Sequence, residues 1–238
     1  ADADVYFIAN TTNRKHNARL TFRTNGGRAD LFDPMTGQMQ GLASVPAASG
    51  RMAELEFEPY QSRVVVFSQG SAVSTAAVKP QPAPEAIDLN TGWTIAFKDS
   101  SATPLARFGS WTSEPDRVYY SGTAEYARTV NVPADWLSGP RAMLDLGEAK
   151  PMAEQPLRNG MRTWLEAPVR EAAVVFVNGQ RAGSVWSPPY SLDIHGFLRP
   201  GNNEIKIVVA NTAINHMAGR RLPDYRLLPE NVEPGEIL

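Results

Sequence analysis

The sequence predicts an all-β chain folded as two β-sandwich domains. Apolar residues recur at every second position in short runs, and Gly, Pro, Asn and Asp separate those runs. Few segments show the three- and four-residue spacing of a helix. Many short strands punctuated by turn residues argue for a sandwich or jelly roll rather than an α/β fold.

The first strands are legible one by one. Val5 to Ile8 is a compact apolar run, Leu20 and Phe22 alternate with Thr21 and Arg23, and Leu55 and Phe57 sit between Glu54, Glu56 and Glu58. Each of these strands has one wet face. Asn25-Gly26-Gly27 and Asp33-Pro34 through Gly37 supply turn residues, and Arg63 to Phe67 closes the segment with an apolar strand. These elements make a small antiparallel β-domain over residues 1–70.

From about Gly70 to Glu85 the composition shifts to Ser, Ala, Gln and Pro, with Pro80, Pro82 and Pro84 favouring an extended connector. A linker is therefore expected over residues 71–88. The strand pattern then returns. Trp93, Ile95 and Phe97 alternate; Ala124, Tyr126, Val130 and Val132 fall on one face; Ala173 to Val177 is apolar; and Ile205, Ile207 and Val209 alternate again. Asn178-Gly179, between Val177 and Ala182, suits the positive φ angles of a type I′ hairpin turn. The second domain is expected over residues 89–215, with a C-terminal tail at 216–238.

Composition limits function. The chain has 238 residues and is 42% hydrophobic and 20% charged, enough for one large core or two modest ones. Its 23 basic and 25 acidic residues leave a net charge of -2. That balance disfavours nucleic acid and membrane surfaces as partners. There is no cysteine, so neither disulfides nor thiolate metal sites can form. The N-terminus lacks a basic segment leading into a long apolar one, and no stretch approaches the ~20 apolar residues of a membrane helix. The expectation is a mature or excised soluble piece.

Groups with the pattern of a catalytic or metal centre are few. His16, His195 and His216 show no metal-ligand spacing and receive no role. Glu54, Glu56 and Glu58 read as a solvated strand face, and Asp145 and Asp193, each between apolar neighbours, as strand-face or turn residues. Glu114 and Asp116 flank Pro115 in a loop whose carboxylates suit a hard cation, but no D-x-D-x-D-G pattern accompanies them, so no metal ligand is assigned. Aromatic rings stack on sugar faces, which makes Trp111, Trp186 and Tyr190 the candidates for carbohydrate contact. Core packing or docking to a neighbouring domain is the commoner fate of such rings. Trp186 leads into the rigid stretch Ser187-Pro188-Pro189-Tyr190.

The second domain carries a run of quotable features: YYSGTAEYARTVNVP from Tyr119 to Pro133, LDLGE from Leu144 to Glu148, VVFVNGQRAGSVWSPPYSLDI from Val174 to Ile194, and LRPGNNEIKIVVANT from Leu198 to Thr212, with Asn215 soon after. Together they resemble the galactose-binding-like, sugar-binding jelly roll of family 2 glycoside hydrolases and, more closely, of family 106 α-L-rhamnosidases. In the first domain DVYFIAN from Asp4 to Asn10, LTFRTNG from Leu20 to Gly26, LFDPMTG from Leu31 to Gly37 and EPYQSRVVVF from Glu58 to Phe67 resemble the β-domain that follows the catalytic barrel of such rhamnosidases. The two occur in the matching order. Residues Ala149 to Pro168, which include Trp164, interrupt the usual close passage from LDLGE to the next strand and read as an insertion.

The resemblance implies a bacterial enzyme, periplasmic or secreted, that removes terminal α-L-rhamnose with inversion by means of two glutamates and a calcium ion in a barrel. No strand–helix alternation of barrel length exists here, so no glutamate is assigned as acid or base and no cofactor is expected in this segment. The expected role is that of a non-catalytic C-terminal portion, inactive alone, that braces the catalytic barrel and contacts carbohydrate, its partners being the parent catalytic domain and a rhamnose-containing glycan or glycoside. An autonomous carbohydrate-binding module is the alternative, and purely structural cover for a catalytic neighbour is a third reading.

Overall fold

The computed structural model describes residues 3–35, 37–70, 86–153 and 164–220. Most of the expected linker, residues 71–85, and residues 221–238 of the expected tail lie outside them. The described chain is nearly all β, with antiparallel pairing throughout, as the alternation predicts.

Seven strands form the first unit: β1 (Ala3–Ala9), β2 (His16–Phe22), β3 (Arg28–Phe32), β4 (Met39–Gly41), β5 (Val45–Ala47), β6 (Gly50–Phe57) and β7 (Ser62–Ser68). They make two sheets, ordered β1-β7-β3-β4 and β2-β6-β5. Strand period two explains the core between them. Ala53, Leu55 and Phe57 of β6 point inward, as do Val65 and Phe67 of β7, and Glu54 and Glu56 stay in water. Tyr6, Phe22 and Phe67 meet edge-on or tilted at 5.0–6.0 Å between ring centres. Such arrangements suit the ring quadrupole.

The second unit contains β8 (Thr94–Phe97), β9 (Thr103–Pro104), β10 (Thr123–Val132), β11 (Met143–Asp145), β12 (Lys150–Pro151), β13 (Leu165–Glu166), β14 (Ala172–Val177), β15 (Gln180–Val185), β16 (Ser191–Asp193) and β17 (Gly201–Ala210), followed by the short helix α1 (Ile214–Ala218). Six of the strands form one sheet in the order β15-β14-β17-β10-β8-β9. Its spine is the ten-residue pairing of β10 with β17, from Thr123 opposite Ala210 to Val132 opposite Gly201. The β11–β16 pair lies across the core, contributing Leu144, and Ile194 follows β16 into the same cluster. A second, separate core results, centred on Ala173, Val175, Val177, Ile205 and Ile207.

Asn178 and Gly179 have φ of 51° and 79° and close the β14–β15 hairpin with Val177 opposite Gln180, the geometry that the Asn-Gly pair favours. Gly183 is required for a different reason. A Cβ there would lie 2.8 Å from Cδ1 of Leu192, so the missing side chain lets β16 pack directly on β15.

Candidate functional site

Trp111 lies in a 3-10 turn (Trp111–Ser113) with its ring half-buried. Its indole N–H donates to the Tyr126 hydroxyl at 2.7 Å, and its ring meets Phe97 and Tyr120 edge-on at 5.4 and 5.7 Å. Burial pushes the Tyr126 hydroxyl pKa up, against the opposing effect of the Trp111 bond. The guanidinium of Arg117 sits 4.1 Å over the Phe97 ring and caps this aromatic group.

Tyr190 is 6% exposed and belongs to the core; burial, then the charge of Glu171, raises its hydroxyl pKa. Trp186, just past the end of β15, is 55% exposed. Trp111 packs on β8 whereas Trp186 follows β15, and the sheet order separates those two strands by four positions. At about 4.8 Å per strand spacing that is roughly 19 Å, too far for both indoles to stack on one sugar ring. Of the three aromatic candidates, Trp186 alone presents most of its ring to water.

Several of the acidic residues take structural partners. Glu54 accepts two bonds from Arg19, at 2.7 and 2.9 Å, on the outer face of the β2–β6 pair. Asp145 accepts from the Gly147 N–H at 2.9 Å, and Asp193 from the N–H groups of Ala142 and His195 at 3.3 and 3.1 Å. Glu114 and Asp116 lie at two consecutive 3-10 turns. The three histidines are dispersed: His16 bonds Thr12, His195 the Leu137 carbonyl, and His216 receives the Arg220 guanidinium N–H. Among the described residues no three His, Asp or Glu side chains converge where a metal ion could sit.

Open depressions occur among the described residues. One, of about 340 Å³, is lined by Thr129, Asn178, Arg199, Asn202 and Glu204 at the hairpin end of the second unit. Another, of about 450 Å³, lies over Asn17, Arg19, Glu54 and Glu56. Neither opposes two carboxylates across an enclosed cleft, the arrangement that glycoside cleavage commonly uses.

The largest unexpected feature is apolar. Directly opposed residues of antiparallel strands share a face. The register Val5–Val66, Phe7–Val64, Val64–Phe32 and Phe32–Met39 therefore places six apolar side chains on the outer face of the β1-β7-β3-β4 sheet. Val5, Phe7 and Met39 are 65%, 69% and 60% exposed. Asp30, on the same face, is held by Arg28 at 2.7 and 3.0 Å. In the sequence β1 and β7 stand out as apolar runs, not as alternating ones. The apolar outer face was legible in the uninterrupted run from Val64 to Phe67, since a strand apolar at every position is covered on both sides.

No protein-family model matches the chain. A protein of Formosa agariphila named "Putative beta-glucuronidase" is 28% identical over 217 residues, a match that covers 86% of this chain and 17% of that protein. The solved structure of a rhamnosidase from Novosphingobium sp. PP1Y superposes with a TM-score of 0.71 at 25% identity, covering 90% of this chain and 19% of that one. The chain thus spans less than a fifth of the length of either protein. It is related to glycoside hydrolases.

Proposed function

We propose that the chain is a non-catalytic β-portion of a glycoside hydrolase, an α-L-rhamnosidase of family 106, and that it braces the catalytic domain. Its second unit is the galactose-binding-like jelly roll of that enzyme. The observation that carries this reading is the outer face of the β1-β7-β3-β4 sheet, where Val5, Phe7 and Met39 lie open to water. Contiguous exposed apolar surface of this kind marks a place where another protein surface docks. The occupant is the catalytic domain of the same enzyme, because the relatives are more than five times as long as the matched segment.

Phe7→Asp tests the reading in two settings. In the whole enzyme the new carboxylate is buried against the catalytic domain and shortens the half-life of activity at elevated temperature. In the isolated chain, where Phe7 is already in water, the unfolding midpoint stays put. An unchanged half-life of the whole enzyme contradicts the bracing role.

The exposed ring of Trp186 favours a second reading, an autonomous carbohydrate-binding module. Calorimetric titration with a rhamnose-containing glycan separates the two. Binding that disappears in Trp186→Ala supports the module, and absence of binding supports bracing.

A further inference from the structure

The insertion at 149–168 interrupts the jelly-roll pattern, and neither bracing nor sugar contact accounts for it. Its described parts form a narrow arm. In it β12 pairs with β13, Lys150 opposite Glu166 and Pro151 opposite Leu165, and the Met152 N–H donates to the Trp164 carbonyl at 3.0 Å. The arm belongs to the second unit by sequence, yet its Met152 and Trp164 carbonyls touch the first.

Asn13, in the loop between β1 and β2, makes that contact. Its side-chain amide nitrogen donates to the Met152 carbonyl at 3.1 Å and to the Trp164 carbonyl at 2.9 Å. A primary amide carries two N–H donors, one for each carbonyl. The Trp164 carbonyl oxygen, with two lone pairs, accepts from both Met152 and Asn13. Beside this contact the Lys15 ammonium lies 3.2 Å from Glu58 in its own unit and 3.3 Å from Glu148 in the other.

The loop is fixed independently of the arm. Asn10, 9% exposed, donates to the carbonyls of Arg14 and Glu58 at 2.6 and 2.9 Å and accepts from the backbone and hydroxyl of Thr12, both at 2.9 Å. These bonds tie residues 10–14 to the end of β6, so Asn13 and Lys15 meet the arm without further ordering.

We propose that the β12–β13 arm is an inter-unit clasp, with Asn13 as its pin, that holds the two sandwiches in one relative orientation. Units joined by a small polar interface move by default, so removing the pin frees them.

The absence of cysteine allows spin labels to be placed without background. Labels at Thr21→Cys and Thr123→Cys, both exposed, one on each unit, report the inter-unit distance by pulsed dipolar spectroscopy. Labels at Thr21→Cys and Gln40→Cys report the first unit alone. Asn13→Asp keeps the shape and removes both donors. It is expected to spread the inter-unit distances and raise the open population roughly tenfold or more, as the loss of two hydrogen bonds implies. The distances within the first unit stay narrow. Lys15→Met, at an exposed side chain, gives a smaller spread and carries the test if Asn13→Asp disturbs the first-unit control. An inter-unit distribution that neither variant changes overturns the clasp.

Discussion

The side-chain amide of Asn178 donates to the side-chain oxygen of Asn203 at 2.8 Å, joining the β14–β15 hairpin to the turn that opens β17. Asn203 is fully buried, and all of its hydrogen-bonding capacity is used. Its oxygen also accepts from the Arg199 N–H at 2.9 Å, and its nitrogen donates to the carbonyls of Arg199 and Gly201 at 2.7 and 2.9 Å. Asn203→Ala leaves four partner groups around a fully buried site without their hydrogen bonds and is expected to destabilise the second unit by roughly 2–3 kcal/mol. Asn203→Asp loses both donors and faces two carbonyls with a carboxylate, so it does no better. Urea unfolding monitored on the second unit checks both, and a loss under about 0.5 kcal/mol contradicts the network's role.

At Gly183 the decisive quantity is space. A valine there must displace Leu192, whose Cδ1 lies 2.8 Å from the position of an added Cβ. Overpacking of this kind costs about 1–3 kcal/mol. The shorter side chain of Gly183→Val/Leu192→Ala relieves the clash, so the double variant recovers part of the loss in a double-mutant cycle.

Trp111 and Trp186 are expected to respond differently to truncation. Trp111 holds Tyr126 and packs against Phe97 and Tyr120, so Trp111→Ala lowers stability by roughly 2–3 kcal/mol. Trp186 is mostly in water, and Trp186→Ala stays within about 0.5 kcal/mol. Thermal unfolding of the two variants side by side checks the contrast.

The clasp has a pH dependence with a definite sign. Hydrogen bonds donated to Glu58 and Glu148 raise the Lys15 pKa above its ordinary 10.5. A group whose folded pKa is raised contributes stability that is complete below the unfolded value and is lost as pH rises through the folded one. The inter-unit label distances therefore stay narrow at neutral pH and begin to spread only at alkaline pH beyond 10.5. Because Lys15 is about half exposed, added salt weakens the effect. In Lys15→Met this alkaline transition disappears.

The legible and illegible parts of the sequence divide along a physical line. Period-two alternation located β6, β8, β10 and β17, because one buried face fixes which residues must be apolar, and a continuous apolar run located β14. Asn178-Gly179 revealed its hairpin because few other pairs tolerate two positive φ angles. The roles of Asn10, Asn13 and Asn203 escaped notice, since an asparagine that pins distant backbone looks in sequence like any turn residue. Asn10 reaches Glu58 across 48 residues, and Asn13 reaches Met152 and Trp164 across 139 and 151, separations at which no local pattern operates. Among the aromatics, composition could name a pool, but only strand order shows that Trp111 and Trp186 occupy distant strands.

The central claim is that this chain assists glycoside cleavage without performing it. The most direct test is release of p-nitrophenol from the aryl α-L-rhamnoside and the aryl β-D-glucuronide by rigorously purified chain. The account predicts release no faster than the buffer blank for either substrate. Turnover that survives repurification and is abolished by replacing a carboxylate of this chain, such as Glu54→Gln or Glu204→Gln, contradicts it.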